Sequence, residues 1–292
     1  MTQFLVPISI APKAKEWLGH TRQAWVLHVF QSTLNLINDD SEVFSIVTPA
    51  IGSGPFSLVV KNTDFRDYAD AATPIKIENR NLSIGVTSCP CHPIPTWEPR
   101  PDWDALRIQK QAVIAQMLSM EAFINQHAPA DSMAQILNRT ASESHFLQDK
   151  FAGTAQIAVQ SLSKGLRGHD LKFIEEAAVR LVGLGLGLTP SGDDYLMGVI
   201  FGLWIGYPKN FAVRCAELIY QTAREKTNHL SAAWLGAAAD EEAGEIWHHL
   251  FGALISHEKT LLQQSIARIL AAGHSSGGDA LAGFILALGN AR

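Results

Sequence analysis

Long apolar runs are missing from this chain, and charge of either sign is sparse. The longest apolar stretch, Tyr195 to Tyr207, falls short of the roughly 20 residues that a membrane span needs, so no membrane partner is expected. Only 17% of residues are charged, with 23 Lys+Arg against 28 Asp+Glu and a formal net charge of -5. No basic run is present to track a phosphate backbone, which argues against nucleic acid as a partner. Cysteine is scarce as well. Cys89, Cys91 and Cys215 are too few and too odd in number for a disulfide framework, which fits a reducing compartment. The start, "MTQFLVPISIAPKAKEWLG", lacks the basic opening, apolar core and small-residue cleavage site of a secretory signal. A cytoplasmic location is expected.

What is present is ample apolar material: 47% hydrophobic residues in 292, enough for one large domain or two. The first 95 residues carry strand signals. "AWVLHVF", "VFSIVT", "FSLVVKN" and "LSIGVTS" are rich in β-branched and aromatic residues, with turn formers such as "NDDS" and "GSGP" between them. Proline then crowds "PCHPIPTWEPRP", Pro90 to Pro101, where neither a helix nor a central strand can continue. Residues 1–95 are expected to form a β-rich domain and 96–102 a linker. "CPCH", Cys89 to His92, offers two thiolates and an imidazole, but no second Cys/His pair stands at zinc spacing, so it reads as a turn.

Beyond Trp103 the apolar period changes from two to about three and a half. "DLKFIEEAAVRLVG" is clear, with Leu171, Ile174, Ala178 and Leu181 on one face behind an Asp170 cap. Helices are expected near 103–127, 144–164, 170–182, 193–206, 210–226, 229–238, 241–256, 258–272 and 277–289. Those at 193–206 and 277–289 are apolar all round and belong at the centre of a helical domain. The fold class is α+β: a β-rich N-terminal domain, then a mostly α-helical one over 103–292.

One motif occurs twice. "SGDDYLMGVIFGL", Ser191 to Leu203, aligns without gaps to "SGGDALAGFILAL", Ser276 to Leu288, with Asp194 and Asp279 85 residues apart. Each copy is Ser-Gly-x-Asp ahead of an apolar helix, which suggests two helix starts built alike and converging on one concave site. As pure structure, Ser-x-x-Asp is a capping box with the serine as N-cap. A cap does not explain the glycine-rich "GLGLGLTP" before Ser191, the extra Asp193, or "GHS" before Ser276. Glycines and hydroxyls crowding two helix N-termini suit an anion or a substrate carbonyl. Between the copies, "TNHLS" opens another helix with Thr227, Asn228, His229 and Ser231, for which a plain capped turn is the bland alternative. "DEEAGEIWHH" sets Glu241, Glu242 and Glu245 near His248 and His249, which reads as a solvated face, and no metal is assigned.

These segments carry a resemblance. "GLGLGLTPSGDDYLMG", "TNHLSAAWL", "GHSSGGDALAG" and "IGSGPFSLVV" are similar, in order and spacing, to the AllH-type subunit of oxamate carbamoyltransferase, over most of the chain. Leu186 stands where that family is expected to favour proline, which bears on loop rigidity. The resemblance implies a multi-subunit enzyme of allantoin and purine nitrogen catabolism that transfers the carbamoyl group of oxalurate to phosphate, giving oxamate and carbamoyl phosphate. Its partners are other carbamoyltransferase subunits, a small carboxylate or amide substrate, and phosphate. It implies no cofactor, magnesium being kept only as a candidate.

On that footing Asp193, Asp194 and Asp279, which would repel phosphate, are assigned to amide nitrogens. Thr189, Ser191, Ser275, Ser276 and the backbone of Gly192 and Gly277 are assigned to the anionic part, with Thr227, Asn228 and Ser231 close by. A tetrahedral oxyanion at a helix start gains about 2.7 to 4 kcal/mol from one good donor. His274, beside the second motif, is the candidate proton carrier together with Asp194. A non-catalytic subunit that binds a metabolite or scaffolds a partner is the alternative. A magnesium phosphotransferase using "GDD" is weaker, because no loop ends in Gly-Lys-Ser/Thr.

Overall fold

The computed structural model describes residues 3–136 and 151–291. The chain divides into two compact units, one of residues up to Arg100 together with Glu242–Glu245, the other of Pro101–Glu241 and Ile246 onward.

In the first unit the β-branched runs become strands: β1 (Gln3–Phe4), β2 (Pro7–Ile10), β3 (Ala24–Val29), β4 (Thr33–Asn38), β5 (Val43–Val47), β6 (Ser57–Val60), β7 (Ile75–Glu78), β8 (Asn81–Ile84) and β9 (Thr87–Cys89). They form two sheets, ordered β1-β9-β8-β7 and β2-β6-β5-β4-β3. β3, β4 and β5 pair antiparallel as a meander, and β6 joins β5 in parallel. Two elements have weak sequence signals. β4, "TLNLIN", interrupts its apolar pattern with Asn35 and Asn38, residues that strands disfavour. Both asparagines are buried and paired, Asn35 Oδ1 accepting from Ser45 Oγ at 2.7 Å and Asn38 Nδ2 donating to Glu42 at 2.8 Å. Helix α1 (Pro12–His20) lies inside the strand-rich region, started by a proline at its first turn. Its Trp17 stacks on Phe44 with ring centroids 4.7 Å apart. The returning segment completes this unit, since Glu245 accepts from Ser53 N at 2.7 Å and Ala243 N donates to Pro99 O at 2.9 Å.

The second unit is helical. Among the described residues it comprises α2 (Trp103–Ile108), α3 (Lys110–Ala115), α4 (Met117–His127), α5 (Ala152–Gly168), α6 (Leu171–Leu181), α7 (Ser191–Gly206), α8 (Lys209–Lys226), α9 (His229–Ala239), α10 (Glu245–Ser256), α11 (Lys259–Leu270) and α12 (Ser276–Gly289). The expected α+β class is the observed one. The segment expected over 144–164 lies partly outside the described residues, and the single helix expected over 103–127 is three, broken at Gln109 and Gln116. The breaks place Arg107 and Lys110 against the carbonyl end of α7, donating to Trp204 O at 2.7 Å and Gly206 O at 2.6 Å. The last turn of α7 has no basic residue of its own. These two cations therefore satisfy orphan carbonyls and complement the negative end of its dipole.

α7 and α12 are the centre, as their all-round apolarity predicts, and nearly every residue of both is buried. They touch backbone to backbone. A Cβ on Gly198 would stand 1.8 Å from Ala280 O, and one on Gly283 1.9 Å from Tyr195 O. Further along, Gly202 faces Ala287 and Gly206 faces Ala291. Contacts that advance in the same direction on both chains mean parallel helices. Their N-termini therefore open at one end.

Candidate functional site

At that shared end the two Ser-Gly-x-Asp copies meet. The Thr189 hydroxyl, from the glycine-rich loop, lies 2.9 Å from the Ser276 hydroxyl at the start of α12. The capping box is not what the motif builds. Ser191 and Ser276 are the first helical residues, the caps are Pro190 and Ser275, and neither cap side chain accepts from a backbone N–H of its helix. The carboxylates are released from capping and point elsewhere.

The three acids then sort by their partners. Asp193 is buried and engaged on both oxygens: Gly183 N donates to Oδ1 at 2.9 Å and the Thr227 hydroxyl donates to Oδ2. Burial raises its pKa, and the Thr227 hydroxyl, the Gly183 amide and the Ser231 hydroxyl oppose the rise. Asp193 thus ties the foot of α7 to the α8–α9 corner. Asn228 extends the tie, capping α9 through Ser231 N at 3.0 Å and donating to Leu188 O at 2.9 Å. Asp279 is fully buried and also fully engaged, its Oδ1 accepting from Ser132 Oγ at 2.9 Å and Met133 N at 2.6 Å, its Oδ2 from Ser275 Oγ at 2.9 Å. Burial pushes its pKa up to about 6, against these donors and the Ser191 hydroxyl.

Asp194 is the exception. It is 8% exposed, and its Oδ2 is buried with no hydrogen-bond partner. Burial pushes its carboxyl up to about 8, the hydroxyls of Ser276 and Thr189 oppose this, and the negative charge of Asp279 adds to it. Near neutral pH Asp194 is therefore a carboxylic acid beside two hydroxyls, at the positive end of two helix dipoles. Such a group offers a donor and an acceptor together, and it holds a proton that it can give away.

The other predicted residues are placed as follows. The N–H groups of Gly192 and Gly277 are donated within the protein, to Leu184 O at 2.8 Å and Ala272 O at 3.2 Å. His274 stands at the surface, 87% exposed, with Nε2 2.8 Å from Asp131 Oδ2. In the loop, Gly183, Gly185 and Gly187 take φ of +73°, +115° and +106°, which glycine alone adopts cheaply, and Leu186 is 79% exposed. Ser132 and Met133 were not legible as site neighbours, since 147 and 146 residues separate them from Asp279. Among the described residues, three ligand atoms of the kind that holds a metal come within 4.8 Å only at the exposed His20, Asp40 and Glu42, in the first unit. Asp279→Asn is expected to cost about 1 to 2 kcal/mol in chemical denaturation, because it weakens the charge-assisted bonds that fix Ser132 and Met133.

Comparison with known families agrees with this architecture. The AllH family N-terminal domain matches residues 7–93, which hold strands β2 to β9. The oxamate carbamoyltransferase subunit AllH matches residues 181–288, which hold both Ser-Gly-x-Asp copies. The chain belongs to the AllH family, whose description is that of a carbamoyltransferase subunit, so other subunits are implied. No solved structure matches the chain.

Proposed function

We propose that this chain binds the small carboxylate or amide substrate of a cytoplasmic carbamoyltransferase complex that works on oxalurate, phosphate, oxamate and carbamoyl phosphate in allantoin nitrogen catabolism. The observation that supports this reading is Asp194, a buried acid with one unpaired oxygen beside the Thr189 and Ser276 hydroxyls. A neutral carboxyl complements the edge of an amide or carbamoyl group, which also carries a donor next to an acceptor. The two hydroxyls suit the ligand's carboxylate. In the reaction a phosphate oxygen bonds to the ureido carbonyl carbon, the bond from that carbon to the oxamate nitrogen breaks, and Asp194 gives its proton to the leaving nitrogen. The helix dipoles oppose the negative charge that builds on the carbonyl oxygen. His274, exposed at the rim, exchanges the proton with solvent.

A second reading, a subunit that binds the metabolite without catalysing, is favoured by the internal engagement of Asp193, Asp279 and the Gly192 and Gly277 amides. Assay of the chain alone and with the other subunits against oxalurate and phosphate separates the two. Oxalurate is expected to raise the melting temperature of the chain alone, and turnover is expected only in the complex. Turnover that persists unchanged when the complex carries Asp194→Asn would leave only the binding role.

A further inference from the structure

The first unit contains a second chemical feature, which the carbamoyl reading does not use. Cys89 ends β9 and Cys91 follows two residues later across Pro90. Both are thiols and both are buried. Their sulfurs are 3.9 Å apart, and the Cys91 S–H donates to the Cys89 carbonyl at 3.2 Å. The backbone around them is anchored, with Cys91 N donating to Asn81 Oδ1 at 3.0 Å and Leu82 pairing with Cys89 across the β8–β9 ladder. A disulfide needs the two sulfurs to close from 3.9 Å to about 2.05 Å.

The geometry points to a redox site: we propose that Cys89 and Cys91 form a reversible intrachain disulfide on reaction with a hydroperoxide. Cys91 is the sulfur that reacts first. When it loses its proton, the Cys89 S–H turns to donate to it, which lowers the Cys91 pKa. The Leu82 amide helps, and burial works the other way. Cys89 correspondingly holds its proton more tightly, since its hydrogen bond to Cys91 and its burial both raise its pKa. The Cys91 thiolate attacks one peroxide oxygen, the O–O bond breaks, and Cys91 becomes a sulfenic acid as the other oxygen leaves and takes a proton. Cys89 sulfur then attacks the Cys91 sulfur, the S–O bond breaks, and the hydroxyl leaves with the Cys89 proton as water. Overall two thiols are oxidised and one hydrogen peroxide is reduced to two waters. Cys215 serves as an internal control, because it is a lone buried thiol in the second unit with its pKa pushed by burial up to about 12.

The test uses the full chain, treated with hydrogen peroxide, quenched, unfolded and alkylated. The expected result is the loss of two of the three thiols, with Cys89 and Cys91 in one peptide lighter by two hydrogens, and recovery of all three after dithiothreitol. Cys215→Ser should leave this loss intact, and Cys91→Ser should abolish it. Retention of all three thiols would overturn the proposal, as would a Cys91 carried on to sulfinic acid or a disulfide between two chains. The peptide map of the parent protein decides the matter even if Cys91→Ser does not fold.

Discussion

Gly198→Ala is expected to destabilise the protein by about 3 kcal/mol or more, although alanine is the better helix former by about 1 kcal/mol. The added methyl would stand 1.8 Å from Ala280 O, a backbone atom that cannot rotate away, so α7 and α12 must separate along their whole contact. Gly283→Ala, on the opposite helix, meets Tyr195 O at 1.9 Å and should cost a similar amount. The double variant should cost less than the sum of the two, because the first separation already makes room for the second methyl. Gly252→Ala is the contrast. Gly252 lies in α10, is exposed, and has nothing within 4 Å of its would-be Cβ, so alanine there should add about 0.5 to 1 kcal/mol. Urea denaturation of the four variants and the parent measures this pattern. A Gly198→Ala protein within 0.5 kcal/mol of the parent, below the usual cost of overpacking, would show that the two helices do not cross where described.

This packing explains what the sequence could and could not disclose. Two apolar helices with matching Ser-Gly-x-Asp starts were visible as a repeated pattern, and burial on all faces placed them centrally. Their matching starts lead to the expectation that they converge, but which residues meet along the contact was not visible, because glycine spacing along one chain does not say which residues of its partner it faces. The roles of the acids were even less accessible. Asp193, Asp194 and Asp279 look alike in the motif, and only their partners separate the two that brace the fold from the one with an unpaired oxygen. Those partners are Gly183 and Thr227 for Asp193, and Ser132, Met133 and Ser275 for Asp279, drawn from loops spread across the unit. A capping box needs only local residues, which is why it is the natural local expectation. It fails here because both helices begin one residue earlier than the box requires. In the first unit the asparagines of β4 weaken its strand signal although Ser45 and Glu42 satisfy them once buried, and α1 is held by a contact distant in sequence, Trp17 on Phe44.

Removing the titrating group at residue 194 should leave a clear trace in the pH dependence of stability. Asp194 has its folded pKa raised from 3.8 to about 8, so its neutral form favours the folded state. That contribution is fully present below pH about 4 and is lost as pH rises toward 8, at about 1.4 kcal/mol per pH unit for one proton. Asp279 acts with the same sign, but its loss centres near pH 6 and is nearly complete by about pH 7. Between about pH 7 and 8 the slope from this pair therefore belongs mainly to Asp194. Asp194→Asn is expected to flatten stability across that window, while the exposed His20, whose pKa is raised by Glu42 in the first unit, contributes equally to both proteins and cancels. Asparagine keeps one donor and one acceptor but carries no transferable proton. In the assembled enzyme the variant should bind oxalurate within a few-fold of the parent and lose about 100-fold or more in kcat. Equal slopes for parent and variant would mean that Asp194 is ionised throughout, and the proton assigned to it would have to come from His274 or solvent. A variant that lost binding but kept kcat would make Asp194 an anchor for the substrate and remove it from proton transfer.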